Sequence, residues 1–284
     1  YRGTGHKVMC FSKIGFLAFI AMVINCTAGM ERSLTRKCHQ KGNNGFRTDR
    51  VVVRKFESAD YPDVERIFID GLMEMVPDTA FRGLKHHPES LLLYAAMTIV
   101  CFIATKSFLL TCLVPLAVLC ARCYYSRRVA LGYLERAKLT DMGDIEGHYM
   151  KTPDSCLWVA VLEGSVVGVV AARALWGEAG TVELHRMSVD RRCRQRGVGV
   201  ALGRKVLQYA ADRGYLSVVL GTTAYSPAAH QLYQTLGFRC VGVTKGYATP
   251  GVSRSVPEQL FYWVSHHHYR KDMTVHNTNT HSQQ

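Results

Sequence analysis

Arg194-Gln195-Arg196-Gly197-Val198-Gly199 places basic side chains and two glycines between a strand-like run and a helix-like one. Successive backbone N–H groups at a helix start, reachable at close range where no Cβ intervenes, make a cradle for a pyrophosphate. Arg192, Arg194, Arg196, Arg204 and Lys205 add positive charge around it. The contact residues this pattern nominates are Arg194, Gln195, Arg196, Gly197, Val198, Gly199 and Val200. An ordinary capped helix carries the same glycine pair, so the surroundings must decide.

Those surroundings read as a sheet flanked by helices. Residues 51–56 are strand-like, Ser58-Ala59-Asp60 offers helix-cap chemistry, and Val64, Ile67, Phe68, Leu72 and Met75 recur at helical spacing over 63–75. Residues 131–150 read as a second helix. Residues 157–162 and 166–172 form a hairpin about Glu163-Gly164, and 181–189 is the strand that leads into the loop. A helix over 199–213, a strand over 216–220, a helix over 227–236 and closing strands over 238–243 and 260–264 complete an α/β (α+β) domain with a mixed central sheet.

One segment does not belong to such a domain. Residues 91–121 contain a single charge, Lys106. Each half is shorter than the ~20 residues a spanning helix needs, and Pro115 interrupts the second. Arg122, Arg127 and Arg128 follow, with Tyr124 and Tyr125 among them, as at the edge of a membrane. The expectation is a membrane-inserted helical hairpin over 89–122, turning at Lys106 and Ser107, or a single tilted span. A buried pair of core helices is the alternative.

The net charge is +13, and residues 1–55 hold 11 Lys/Arg against 2 Asp/Glu. A basic segment suits an anionic surface; no nucleic-acid-binding motif accompanies it, so no nucleic acid is expected. Ten cysteines in no paired framework fit a reducing compartment. Cys120 and Cys123 form a lone CxxC, and His266-His267-His268 lies on a run whose alternate side chains do not converge, so no metal is expected. Within a basic tail over 1–50, residues 14–24 have the shape of a signal peptide or a short anchor. Residues 271–284 are polar and expected to be a disordered tail.

Two signatures at the right separation carry a resemblance. The loop resembles the R/Q-x-x-G-x-G/A acetyl-CoA loop of the GNAT superfamily of N-acetyltransferases. Ala228-Ala229-His230-Gln231-Leu232-Tyr233-Gln234-Thr235-Leu236-Gly237-Phe238 resembles its usual ending. Residues 51–270 further resemble the N-acetyltransferase 8 family, in particular its aspartate-acetylating branch. That likeness rests on Thr79-Ala80-Phe81-Arg82-Gly83-Leu84, Leu109-Leu110-Thr111-Cys112-Leu113-Val114-Pro115, Tyr124-Tyr125-Ser126-Arg127, Thr140-Asp141-Met142-Gly143-Asp144-Ile145-Glu146, Val182-Glu183-Leu184-His185-Arg186-Met187-Ser188-Val189-Asp190 and Gly221-Thr222-Thr223-Ala224. The chain departs from that branch in the loop, which there reads R-G-K-G-I-A, at His185, and at Tyr225-Ser226-Pro227.

The resemblance implies a GNAT fold, acetyl-CoA as co-substrate, no metal, and a membrane partner. The catalytic domain would face the cytosol, at the endoplasmic reticulum or mitochondrial membrane. It implies a small amine as acceptor, aspartate first; a cysteine conjugate or a protein lysine stays open, as does a catalytically inactive membrane scaffold. Acetyl transfer requires that the amine lose a proton, the thioester carbonyl be polarised and the leaving thiolate be protonated. By the resemblance Glu183 is the candidate base, Tyr233 the candidate acid, and backbone N–H groups from Met187 to Val189 meet the carbonyl, so Met187 and Val189 join the cofactor contacts. An acidic acceptor needs cations, and arginine's fork fits a carboxylate; Arg82, Arg186 and Arg173 are the candidates.

Overall fold

The computed structural model describes residues 51–86, 88–245, 255–262 and 264–273. The basic segment 1–50, its apolar run 14–24 and the tail from 274 lie outside them. The order is β1 (Val52–Lys55), α1 (Tyr61–His86), α2 (Pro88–Thr105), α3 (Phe108–Leu139), β2 (Ser155–Leu162), β3 (Ser165–Ala174), β4 (Thr181–Val189), α4 (Val198–Asp212), β5 (Ser217–Thr223), α5 (Pro227–Thr235), β6 (Arg239–Thr244), α6 (Val256–Phe261) and β7 (His266–Asp272). The strands form one mixed sheet in the order β1-β2-β3-β4-β5-β7-β6, antiparallel except for β4 beside β5.

β2 and β3 are near-continuous apolar runs and are buried along most of their length, as strands covered on both faces must be. Their two-residue turn, Glu163-Gly164, has φ of +53° and +78°, the backbone that matches the twist of the flanking strands. Alternation then sends Trp158, Ala160 and Val170 to one face, against Leu202, Val206 and Ala210 of α4. Leu157, Val159, Val169 and Ala171 go to the other, against Val64, Ile67 and Phe68 of α1 and Leu134 and Ala137 of α3.

Three elements differ from the sequence reading. The first helix does not stop at 75 but runs through Pro77 to His86, carrying Arg82 inside it. The second begins at Phe108, so that the apolar run and the expected helix from 131 are one element, and it ends at Leu139 rather than 150. Gly143 explains the early stop: a Cβ there would lie 2.0 Å from the Lys138 carbonyl oxygen, so only glycine lets the chain fold back on the helix end. A separate π turn, Glu146–Met150, follows. The strand expected over 260–264 is absent: a short helix begins at Val256, with Pro257 in its first turn, where its missing N–H costs nothing. The closing strand is instead His266–Asp272, two residues into the expected tail.

α2 and α3 form a helix–turn–helix that breaks at Lys106 and Ser107, Lys106 with φ +49°. Leu92, Ile103, Phe108 and Leu109 on it are 67–77% exposed. Phe108–Leu139 is the one helix among the described residues that is long and apolar enough to cross a membrane. Both flanks of the pair, α1 and the second half of α3, return to the same face of the sheet.

Candidate active site

β4 and β5 pair only through Thr181, Val182 and Glu183 against Ser217, Val218 and Val219. Beyond Glu183 both strands continue without pairing each other, and β5 keeps its partner β7 as far as Thr223. The sheet splits there, and one edge of the β4 backbone is left open. Asp190 N–H donates to the Val167 carbonyl of β3 at 2.8 Å. By alternation Val189 therefore turns its N–H and C=O towards the split, where Arg194 Nε donates to its carbonyl at 3.2 Å. Met187 shares that parity.

A β-bulge sets the side chains along this edge. Val169 pairs with Ser188 but Ala171 with His185, so β4 carries one extra residue, and Arg186 adopts φ +51°. A non-glycine residue in this region is uncommon and costs about 1–2 kcal/mol. The bulge keeps Val182 and Leu184 before it, and Met187 and Val189 after it, all on the α4 face. Glu183, His185, Arg186 and Ser188 take the opposite face. There Ser188 Oγ donates to the Ile67 carbonyl at 3.0 Å, and Gly71 of α1 passes so close that a Cβ would lie 2.4 Å from Ser188 Oγ.

Arg186 does not present its fork to the split. Its Nε and Nη2 donate to Asp141 at 2.8 and 2.6 Å, and its Nη1 donates to the Tyr133 hydroxyl. The guanidinium lies 5.2 Å from the ring centres of both Phe68 and Tyr133. Asp141 also accepts from the Tyr149 hydroxyl and, at 3.0 Å, from Thr140 Oγ1. Burial pushes the Asp141 carboxyl up, but Arg186, Tyr149 and Thr140 outweigh it and hold it well below the usual carboxylate range. Asp141 is a partner that the sequence reading missed. It lay in a stretch that carried the family resemblance, with nothing local to mark its role.

Glu183 stands at the last rung before the split. His185 Nε2 lies 2.7 Å from its Oε2, off the line a hydrogen bond needs, so that this ring nitrogen is buried without an in-line partner. Arg173 Nη2 is 4.0 Å from the same oxygen. Burial pushes the Glu183 carboxyl up, while His185, Arg173 and Arg186 bring it below the usual range. It is a carboxylate at neutral pH. Of the three arginines nominated for the acceptor, Arg186 is bound to Asp141 and Arg173 stands half-exposed beside Glu183; the Arg82 side chain is outside the described residues.

Tyr233, on α5, reaches from the other lip. Its hydroxyl donates to Met187 Sδ at 3.9 Å, and its ring packs against Phe238 and Tyr269, with centres 6.0 and 5.8 Å away. Burial pushes the hydroxyl up to about 12. Compared with an ordinary tyrosine it is the weaker acid, though it stays a protonated donor throughout the neutral range. His230 braces this lip, its Nδ1 2.8 Å from the Tyr269 hydroxyl and its Nε2 3.0 Å from the Thr223 carbonyl.

The glycine loop sits where β4 ends and α4 begins. Gly197 caps the helix with φ +79°, and a Cβ there would enter open space. Val198, Gly199 and Val200 in the first turn have no carbonyl one turn behind them, and the first helical bond runs from Ala201 N–H to the Gly197 carbonyl at 3.0 Å. Gly199 has a different use: a Cβ would meet Leu232 at 3.1 Å, so its smallness lets α5 close on α4. Three of the cations around the cradle are paired with acids. Arg194 grips Glu74 of α1 at 3.0 and 2.7 Å, Arg192 grips Asp190, which also receives Arg66 at 3.0 Å, and Arg196 lies 3.3 Å from Glu163. The site thus combines an open backbone cradle with a ring of basic side chains, and it fits the diphosphate of acetyl-CoA.

A model of the acetyltransferase (GNAT) family matches residues 123–238. N-acetylaspartate synthetase of Homo sapiens is 56% identical over 220 residues, 78% of this chain and 72% of that one. The protein of the same name from Danio rerio is 50% identical over 222 residues, 78% of each chain. The probable N-acetyltransferase camello of Xenopus laevis is 34% identical over 190 residues, 66% of this chain and 86% of that one.

Proposed function

The chain belongs to the N-acetylaspartate synthetases of the GNAT acetyltransferase family, and on that premise we propose that it transfers an acetyl group from acetyl-CoA to the amine of aspartate, giving N-acetylaspartate and CoA. The observation that carries the chemistry is the β4–β5 split. Its open edge offers the Met187 and Val189 N–H groups to a carbonyl, with Glu183 at its closed end and Tyr233 Oη across it against Met187. The acceptor comes from the relatives.

In this reading the diphosphate lies on the α4 start at Gly197, and the thioester carbonyl receives a β4 N–H, which stabilises the negative charge that grows on its oxygen. Glu183, ionised and at the closed end of the split, takes a proton from the acceptor's ammonium group directly or through water. The nitrogen lone pair attacks the thioester carbon, the C–S bond breaks, and the Tyr233 hydroxyl donates to the departing thiolate. The second proton shed by nitrogen restores the tyrosine through solvent.

The exposed apolar surface of α2 and α3 supports a membrane role. Because α1 and the second half of α3 share one core, both ends of the pair lie on one side of a bilayer. α3 is long enough to cross, but the 18 residues of α2 rise only ~27 Å at 1.5 Å per residue, short of a return crossing, so the pair is read as a hairpin that dips into one leaflet with Lys106 at its turn. CoA release measured with aspartate, glutamate, asparagine, a cysteine conjugate and a lysine peptide tests the acceptor. Aspartate is expected to give the highest kcat/KM; a higher value for any other overturns the choice.

A further inference from the structure

Arg186 is answered by Asp141, Arg66 by Asp190 and Arg194 by Glu74. Arg122 on α3 is different. Its side chain is 1% exposed; Nε donates to the Ala80 carbonyl at 2.9 Å and Nη1 to the Tyr94 hydroxyl at 3.3 Å. Among the described residues no carboxylate pairs with it. One turn along the same face of α3, Ser126 is 2% exposed and its hydroxyl has no hydrogen-bond partner. A buried guanidinium without an anion, next to a buried hydroxyl without a partner, is costly twice over. A carboxylate satisfies both.

The surroundings tie this pair to the β5 lip of the split. α1 supplies the Ala80 carbonyl and α2 the Tyr94 hydroxyl, and Phe261 of α6 stacks on Tyr94 and Tyr125 with ring centres 6.3 and 5.6 Å away. Tyr225 follows β5, on one lip of the split. Ala224, just before it, donates its N–H to the Ser265 carbonyl at 2.9 Å, four residues after the Phe261 that stacks on Tyr125, so the aromatic wall beside Arg122 is joined to that lip; the Arg122 charge also acts on the Tyr225 hydroxyl, against the rise that burial causes.

We propose that Arg122 and Ser126 receive the side-chain carboxylate of the acceptor and set the preference for an acidic amino acid; this rests on the reading of the split as the acetyl-transfer site. Sequence pattern alone puts Arg122 at a membrane edge. Its burial removes it from that role and leaves Arg127 and Arg128, both exposed, at the surface.

The test uses the full chain in membranes, as wild type, Ser126→Ala and Arg122→Gln, with aspartate and with asparagine, whose side chain carries no charge. Ser126→Ala deletes an unpaired hydroxyl, so its Tm should be unchanged or higher, while KM for aspartate rises roughly 2- to 10-fold. Arg122→Gln should cut kcat/KM for aspartate roughly 10- to 150-fold. Turnover of asparagine and KM for acetyl-CoA should not move in either variant. An unaltered aspartate KM in folded Ser126→Ala, or equal losses with both acceptors in Arg122→Gln, overturns the assignment alone. A wild type that acetylates other amines but not aspartate overturns the reading of the acceptor and this assignment with it.

Discussion

Arg186 and Asp141 meet edge to edge, 45 residues apart in sequence, in a pair closed off by Tyr133, Tyr149 and Phe68. Arg186 makes the pair from the β4 bulge, whose extra residue sets the phase that puts Glu183 on one face of the strand and Met187 on the other. Arg186→Leu leaves the Asp141 carboxylate buried and unpaired, which costs about 3–5 kcal/mol. Thermal unfolding should show a fall in Tm of several degrees or more, and all substrates should lose turnover together. A stable variant that loses only aspartate would return Arg186 to the acceptor's carboxylate.

The same pair predicts a pH dependence. Asp141 is held below its unfolded value, so it contributes stability above the ordinary carboxylate range. That contribution is lost as pH falls below about 4 towards the depressed folded value. Wild type should therefore lose stability on acidification more steeply than Asp141→Asn, as followed by denaturant midpoints. Parallel curves would show that the carboxylate adds nothing to stability.

Gly197→Glu should abolish acetyl-CoA binding in a folded protein. Its φ of +79° strains any side chain, and a carboxylate in the open cradle repels phosphate. Titration calorimetry with unchanged affinity would remove the loop from the cofactor site.

Tyr233→Phe should lower kcat by about 10²-fold or more with acetyl-CoA affinity unchanged, since among the described residues the lost hydroxyl has only a thioether as acceptor. Glu183→Gln should lower kcat by about 10²-fold in the same way. A kcat within twofold of wild type in either variant would take that residue out of the proton path.

Cysteine labels at positions 85 and 130, on either side of the apolar pair, should react from one face of sealed vesicles. Labelling from opposite faces would contradict the shared core of α1 and α3 as well as the hairpin.

What was legible from the sequence is what repeats locally. The apolar runs of β2 and β3, the hairpin at Glu163-Gly164 and the helix that opens out of the glycine loop each depend on neighbours within a few residues, and they appear as expected. The helix ends did not follow, because α3 stops where Gly143 lets the chain turn back, a contact invisible in periodicity. The roles of the arginines did not follow either. Whether Arg186 faces substrate or Asp141, and whether Arg122 lies at a membrane edge or in a core, is decided by elements brought together across the fold.

Product identification tests the central claim most directly. The full chain in membranes, given acetyl-CoA labelled in its acetyl group and aspartate, should yield labelled N-acetylaspartate and an equal amount of CoA by mass spectrometry, and Gly197→Glu should yield neither. Labelled N-acetylaspartate undiminished in Gly197→Glu, or none from a wild type that binds acetyl-CoA, would contradict the account.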